Sequence, residues 1–205
     1  MLAAGAAGMY CGSCMRDNAA AAALIHNGHD VLLLPLYTPL RTDEDYVGSD
    51  RIFYGAVNVF LEHASPLFRR MPKAVRRLMD RPGLLQWVGR FAGSTSAAQL
   101  GALTVDVLRG ADGNQVRELG ELLGFLEGQR APDVIHLPNL LFLGMAEPLK
   151  RQLGAPLVCT LSGEDGFVGD LPQPFRDRAL RLIRQTASRV DAFVATSQWL
   201  TERSI

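Results

Sequence analysis

Apolar positions in the second half of the chain fall into two alternating regimes, short continuous runs and longer stretches at helical spacing. "DVIHL" (133–137), "APLVCTL" (155–161) and "VDAFVATS" (190–197) are runs of strand length, as expected of strands covered on both faces. Between them, "LLFLGMAEPLKRQLG" (140–154) and "FRDRALRLIRQTASR" (175–189) predict helices, and "SGEDGFVGDLPQP" (162–174) predicts a loop. "QWLTERSI" (198–205) begins one more helix.

The first half reads similarly at its start. "CMRDNAAAAALIHNGHD" (14–30) predicts a helix, with Ser13 as its N-cap and Gly28 at its stop. "DVLLLPLY" (30–37) is a buried strand, 38–50 a polar loop, and "RIFYGAVNVF" (51–60) a β-branched and aromatic strand. Residues 66–128 look helical, broken at Pro72, Pro82, Gly93 and "GADGN" (110–114). Strands alternating with helices mean βαβ units. The fold class is therefore α/β, a Rossmann-like, mostly parallel sheet with helices on both faces.

Composition changes this picture little. The 205 residues suit one sizeable domain, and 48% hydrophobic against 20% charged residues supplies a core. Lys plus Arg and Asp plus Glu balance at 21 each, so charge gives no reason to expect nucleic acid as a partner. No apolar run approaches the ~20 residues of a membrane span, and the start lacks a basic n-region. Three unevenly spaced cysteines make no disulfide framework, and a reducing cytoplasm is the expected compartment.

Cys11 and Cys14 stand in a C-x-x-C spacing within "GMYCGSCMRDN" (8–18). A thiol before a helix N-terminus is activated by the helix dipole and free N–H groups, which is the redox reading. A zinc site needs about four ligands, and Cys159 lies inside a strand while no histidine pair has ligand spacing. The reading preferred here is structural: small residues pack a tight strand-to-helix turn, and no metal is expected. Gly5, Gly8 and Gly12 in the same segment predict close approach of backbone to a ligand, with helix-start N–H groups free to hold a phosphate.

Four segments in order resemble the N-terminal half of family 4 glycosyltransferases. They are "GMYCGSCMRDNAAAAALIHNGHDVLLLPLY", "PDVIHL", "PLVCTLSGED" and "VDAFVATSQWLTERSI". The resemblance implies one half of a GT-B fold, whose two Rossmann-like domains face each other across a cleft. It implies a retaining transfer of a sugar from a nucleotide-sugar donor to an acceptor hydroxyl. The nucleotide sugar is then a co-substrate, and no cofactor or metal is implied. On this reading residues 1–197 form the acceptor-side domain, and 198–205 begin the helix leading to a donor-binding domain beyond the chain.

The chain departs from the family pattern at three places. No two glutamates have the family's donor-site separation of seven intervening residues, so the fragment alone is expected to be inactive. "MLAAGAAG" leaves at most a stub of the family's first strand. Ser162 stands where the family often carries a histidine, and serine cannot titrate near neutrality.

Candidate chemistry collects after the strands. Glu164 and Asp165 lie in the loop at a strand's C-terminal end, where open α/β sheets bind ligands, and either could deprotonate an acceptor hydroxyl. A turn-forming, helix-capping acidic pair is the plainer alternative. Gly8, Gly12, Ser162, His136 and Ser197 are the candidate substrate-binding residues. His136 could equally be a satisfied, half-buried histidine, and Ser197 an N-cap. The stretch 68–90 has seven basic residues against one acidic, interleaved with apolar ones. It could lie peripherally on the inner face of an anionic membrane, or form a solvated face over a core. A non-catalytic Rossmann-like module that binds a ligand or partner is the competing reading of the whole chain.

Overall fold

The computed structural model describes residues 1–5, 10–54 and 97–204. Gly8, the basic stretch 68–90 and the later part of the expected strand 51–60 lie outside the described residues. Two compact units form: residues 3–99, and residues 100–205 together with Met1 and Leu2.

β1 (Leu2–Ala3) pairs with β2 (Leu34–Pro35). The backbone N–H groups of Leu36 and Tyr37 extend the contact to the carbonyls of Ala3 and Ala4. Between them runs α1 (Gly12–His26). Its alanine-rich sequence favours the helix, but the face it buries carries Cys14, Asp17, Asn18 and Ala21, spaced at one helical stripe. Leu24 and Ile25 are turned outward. The core beneath is made by Leu33, Leu34 and Leu36, each at most 1% exposed, with Phe53 and Tyr54.

Asn18 ties the polar loop to α1. Its Nδ2 donates to the Asp45 carbonyl (3.0 Å), and its Oδ1 accepts from the Val47 N–H (3.1 Å). Residues 51–54 form no strand, contrary to the expectation, and the chain bends at Phe53 and Tyr54. Phe53 and Tyr54 are spent on the core, Tyr54 meeting Tyr37 edge-on at 5.7 Å. The Tyr54 N–H is bonded to the Leu36 carbonyl, as a strand's would be.

The second unit holds α2 (Ala97–Leu108), α3 (Val116–Glu127), β3 (Ile135–Leu137), α4 (Ala146–Leu153) and β4 (Leu157–Leu161). They are followed by α5 (Glu164–Gly169), α6 (Phe175–Ala187), β5 (Ala192–Ala195) and α7 (Gln198–Ser204). The strands form a parallel sheet in the order β3-β4-β5, with His136 opposite Val158 and Thr160 opposite Val194. The α/β, Rossmann-like class expected from the alternation is what forms.

Two expectations need correction here. Residues 140–154 do not form one helix. Leu140–Met145 is a 3₁₀ turn capped by the Asn139 side chain, and α4 starts only at Ala146. Pro148 explains the restart: it has no N–H for the Gly144 carbonyl, and a proline is accommodated only in a helix's first turn. The loop 162–174 also contains the short helix α5.

The expected break at 110–114 is a 3₁₀ turn, Gly110–Asp112, in which Gly110 has φ +56°. A Cβ there would collide with the Gly144 carbonyl, and one on Gly144 with the carbonyls of Val107 and Leu108. These two glycines let the two 3₁₀ turns cross backbone to backbone.

An exposed clip closes the sheet's other end. Lys150 Nζ bonds the Asp191 carboxylate (2.7 Å), which also accepts the Leu157 N–H (2.8 Å). These bonds, the Lys150 one foremost, hold the Asp191 carboxyl below its usual range.

Candidate functional site

The loops that follow β4 and β5 leave one end of the parallel sheet and carry four sequence-predicted residues, Ser162, Glu164, Asp165 and Ser197. Parallel order does this, because each strand delivers its following loop to the same side. His136, expected to end its strand at that edge, instead sits mid-strand in β3 opposite Val158, the second residue of β4. Gly163 makes the β4 loop turn at once into α5, with φ +87°, the left-handed region that glycine alone adopts freely.

The two carboxylates of that loop differ. Glu164 is buried (9% exposed), and both its oxygens accept from the Ser162 N–H, at 3.0 and 3.1 Å. It reaches back from the first turn of α5 as a capping carboxylate does, and it fixes the path of Ser162. Asp165, the next residue, is exposed at the same helix start. The acidic pair thus divides into one buried and one exposed side chain.

His136 is half-buried between Ile135 and Leu137, and its Nε2 lies 2.7 Å from Thr160 Oγ1 on β4. Sequence reasoning missed Thr160. The parallel register that seats it beside His136 is not written in local pattern. Ser197 caps α7 through an Oγ that accepts from the Leu200 N–H (3.3 Å).

Gly12 and the cysteines belong to the other unit. Gly12 opens α1, and a Cβ on it would meet nothing within 4 Å. Gly5, by contrast, has φ +82° and is crowded by the Thr38 backbone, so its need for glycine comes from the chain's own close approach.

The expected N-cap, Ser13, is inside α1; Cys11 caps it instead. Its thiol accepts from the Cys14 N–H (3.4 Å) and contacts Ser13 Oγ (3.0 Å). Burial works to raise the Cys11 pKa, but hydrogen bonds from the Cys14 and Ser13 side chains and backbone outweigh it, and the net change is downward. Cys14 is 1% exposed, and burial, with the Cys11 hydrogen bond next, pushes its thiol up to about 12. One turn on, Asp17 is 1% exposed. Burial lifts its carboxyl to about 6 against the opposing pull of Arg16.

Among the described residues, no group of three or more His, Cys, Asp or Glu could hold a metal ion, and no helix is long and apolar enough to cross a membrane. The family model of the glycosyl transferase 4-like domain matches residues 18–205 of the chain. No curated protein and no solved structure matches it.

Proposed function

The chain belongs to the glycosyl transferase 4-like domain family, and from that premise we propose that it is the acceptor-side domain of a retaining glycosyltransferase. The observation that carries this reading is the β4 loop, with Asp165 exposed beyond the C-terminal end of β4, on the side of the sheet where Ser162 and, after β5, Ser197 also lie. The acceptor hydroxyl oxygen bonds to the anomeric carbon of a nucleotide sugar, and the bond from that carbon to the diphosphate breaks. Asp165 takes the hydroxyl proton. Glu164 acts as a positioning residue, because its oxygens are engaged with Ser162. His136 and Ser197 are the domain's acceptor-side residues.

In this reading the donor site belongs to a further domain, so the 205-residue chain alone neither turns over a nucleotide sugar nor binds one tightly. The proposed compartment is the cytoplasm, and the basic composition of 68–90 suits either peripheral contact with an anionic membrane face or a solvated face. The test uses the complete gene product with a panel of nucleotide sugars and hydroxyl acceptors, reading nucleoside diphosphate release. General-base help is worth ~10²–10⁴-fold, so Asp165→Asn lowers turnover on that scale. Near wild-type turnover in that variant moves the proton to the donor's phosphate oxygen. Absence of transfer from every donor replaces the enzyme with the non-catalytic module.

A further inference from the structure

We propose that the outer face of α6 anchors an acidic glycan: Arg178, Arg181 and Arg184 hold carboxylates carried on successive sugar rings of the acceptor. The inference rests on the acceptor-side reading above and names the class of acceptor that reading leaves open.

α6 buries only Ala179 and turns Arg176, Arg178, Arg181 and Arg184 outward. The last three recur every third residue, which at 3.6 residues per turn carries them diagonally across the exposed face. None of these three side chains has an ion pair or hydrogen bond among the described residues. Asp177, the one acid on the helix, is already engaged. Gln173 Nε2 donates to its Oδ1 (3.0 Å), and Arg176 Nε lies 3.9 Å from the same oxygen. Like charges three residues apart repel each other on a helix surface, so the row works against the helix until an anion lies along it.

Three features select the anion. The first is the lack of an apolar anchor. α6 exposes no large apolar side chain, whereas a membrane-binding helix face pairs basic residues with apolar ones that insert. The second is spacing. The charges follow one another about 4.5 Å apart along the axis. Spread singly in this way, they match one carboxylate per sugar ring better than the two charges a diphosphate concentrates at one point. Each guanidinium offers a carboxylate a fork of N–H donors. The third is direction. β4 and β5 are parallel, so α6 runs back between them from the C-terminal end of β4. Its first turn is on the Asp165 side of the sheet, next to α5, and Arg184 is the farthest of the three from it. A glycan with its terminal hydroxyl at Asp165 can lay its preceding rings along the row.

The experiment titrates the complete gene product with fluorescent oligogalacturonate, which has one carboxylate per ring, and with neutral dextran of matched length. Oligogalacturonate should bind and dextran should not, and about 1 M salt should abolish the binding by screening the exposed charges. Arg178→Gln, Arg181→Gln and Arg184→Gln together should weaken it about 10-fold or more, and Arg109→Gln, an exposed arginine on α2's end, should leave it unchanged. Should the triple variant fail to fold, Arg181→Gln alone decides, with an expected loss of about 2–5-fold. In transfer to an acidic acceptor, read by nucleoside diphosphate release, the triple variant should raise KM and keep kcat. Equal binding of dextran, preference for anionic vesicles or polyphosphate over oligogalacturonate, or wild-type affinity in the folded triple variant overturns the proposal. Transfer to neutral acceptors without binding of oligogalacturonate overturns it too, and leaves the glycosyltransferase reading standing. Binding without transfer from any donor overturns that reading, and the acceptor role with it.

Discussion

Replacing Asp17 with asparagine should change how stability depends on pH, and the structure sets both sign and size. The side chain sits on the buried stripe of α1, and burial lifts its carboxyl from 3.8 to about 6 despite the Arg16 hydrogen bonds. Between those two values the native state holds a proton that the unfolded chain has released. Stability therefore falls as pH rises through this window and levels off above it. Each unit of pKa is worth about 1.4 kcal/mol, so the ionised carboxylate costs the fold about 3 kcal/mol at neutral pH. An amide of the same shape carries no charge and loses this dependence. Urea unfolding followed by circular dichroism, at steps from about pH 3 to pH 8, should give a stability difference, variant minus wild type, that climbs by about 3 kcal/mol and then stays flat. The absolute offset depends on how well the amide is satisfied, but the climb does not. A flat or falling difference would refute the reasoning, because it would mean that Arg16 outweighs burial.

Other substitutions follow from the same kind of accounting. Gly144→Ala pushes a methyl into the Val107 and Leu108 carbonyls and should cost about 2–3 kcal/mol, whereas Gly120→Ala, with open space around it in α3, should gain about 0.5–1 kcal/mol; denaturant midpoints separate the two. Lys150→Met removes the exposed clip to Asp191. Because the Asp191 carboxyl is held below its usual range, the clip's small contribution is present above about pH 4 and disappears as pH falls through the depressed value, so the two proteins should converge in acid.

The alternation of β3, α4, β4, α6 and β5 was legible because each of those segments is long enough, or apolar enough, for its period to speak. The class of the fold and the sheet edge carrying Ser162, Glu164 and Asp165 followed from that alternation. The finer chemistry was not legible, for physical reasons. Alanine propensity announces α1 but does not say which side faces inward. The stripe it buries includes Asp17 and Asn18, while Leu24 and Ile25 face out, so a hydrophobic pattern points the wrong way. A thiol is a weak acceptor and Ser13 a strong one, so ordinary capping preference selects Ser13; the helix starts two residues earlier and uses Cys11. The different settings of Glu164 and Asp165 depend on a reach-back to the Ser162 N–H through a left-handed Gly163, which composition cannot reveal. His136 found its partner in Thr160 across a register set by the whole sheet.

The Asn18 amide, with its donor on the Asp45 carbonyl and its acceptor on the Val47 N–H, treats the loop as a neighbouring strand would. It touches main-chain atoms only, so the anchor is indifferent to which side chains positions 45 and 47 carry. The identity of those residues can drift while the path of the chain is kept, with one exclusion: proline at 47, which has no N–H to give. The reverse holds at position 18. Aspartate and leucine preserve the shape of the side chain, yet aspartate turns an oxygen on the Asp45 carbonyl and leucine leaves both backbone groups without a partner. The freedom of a whole loop to change its sequence is thus held by a single residue that cannot change its own.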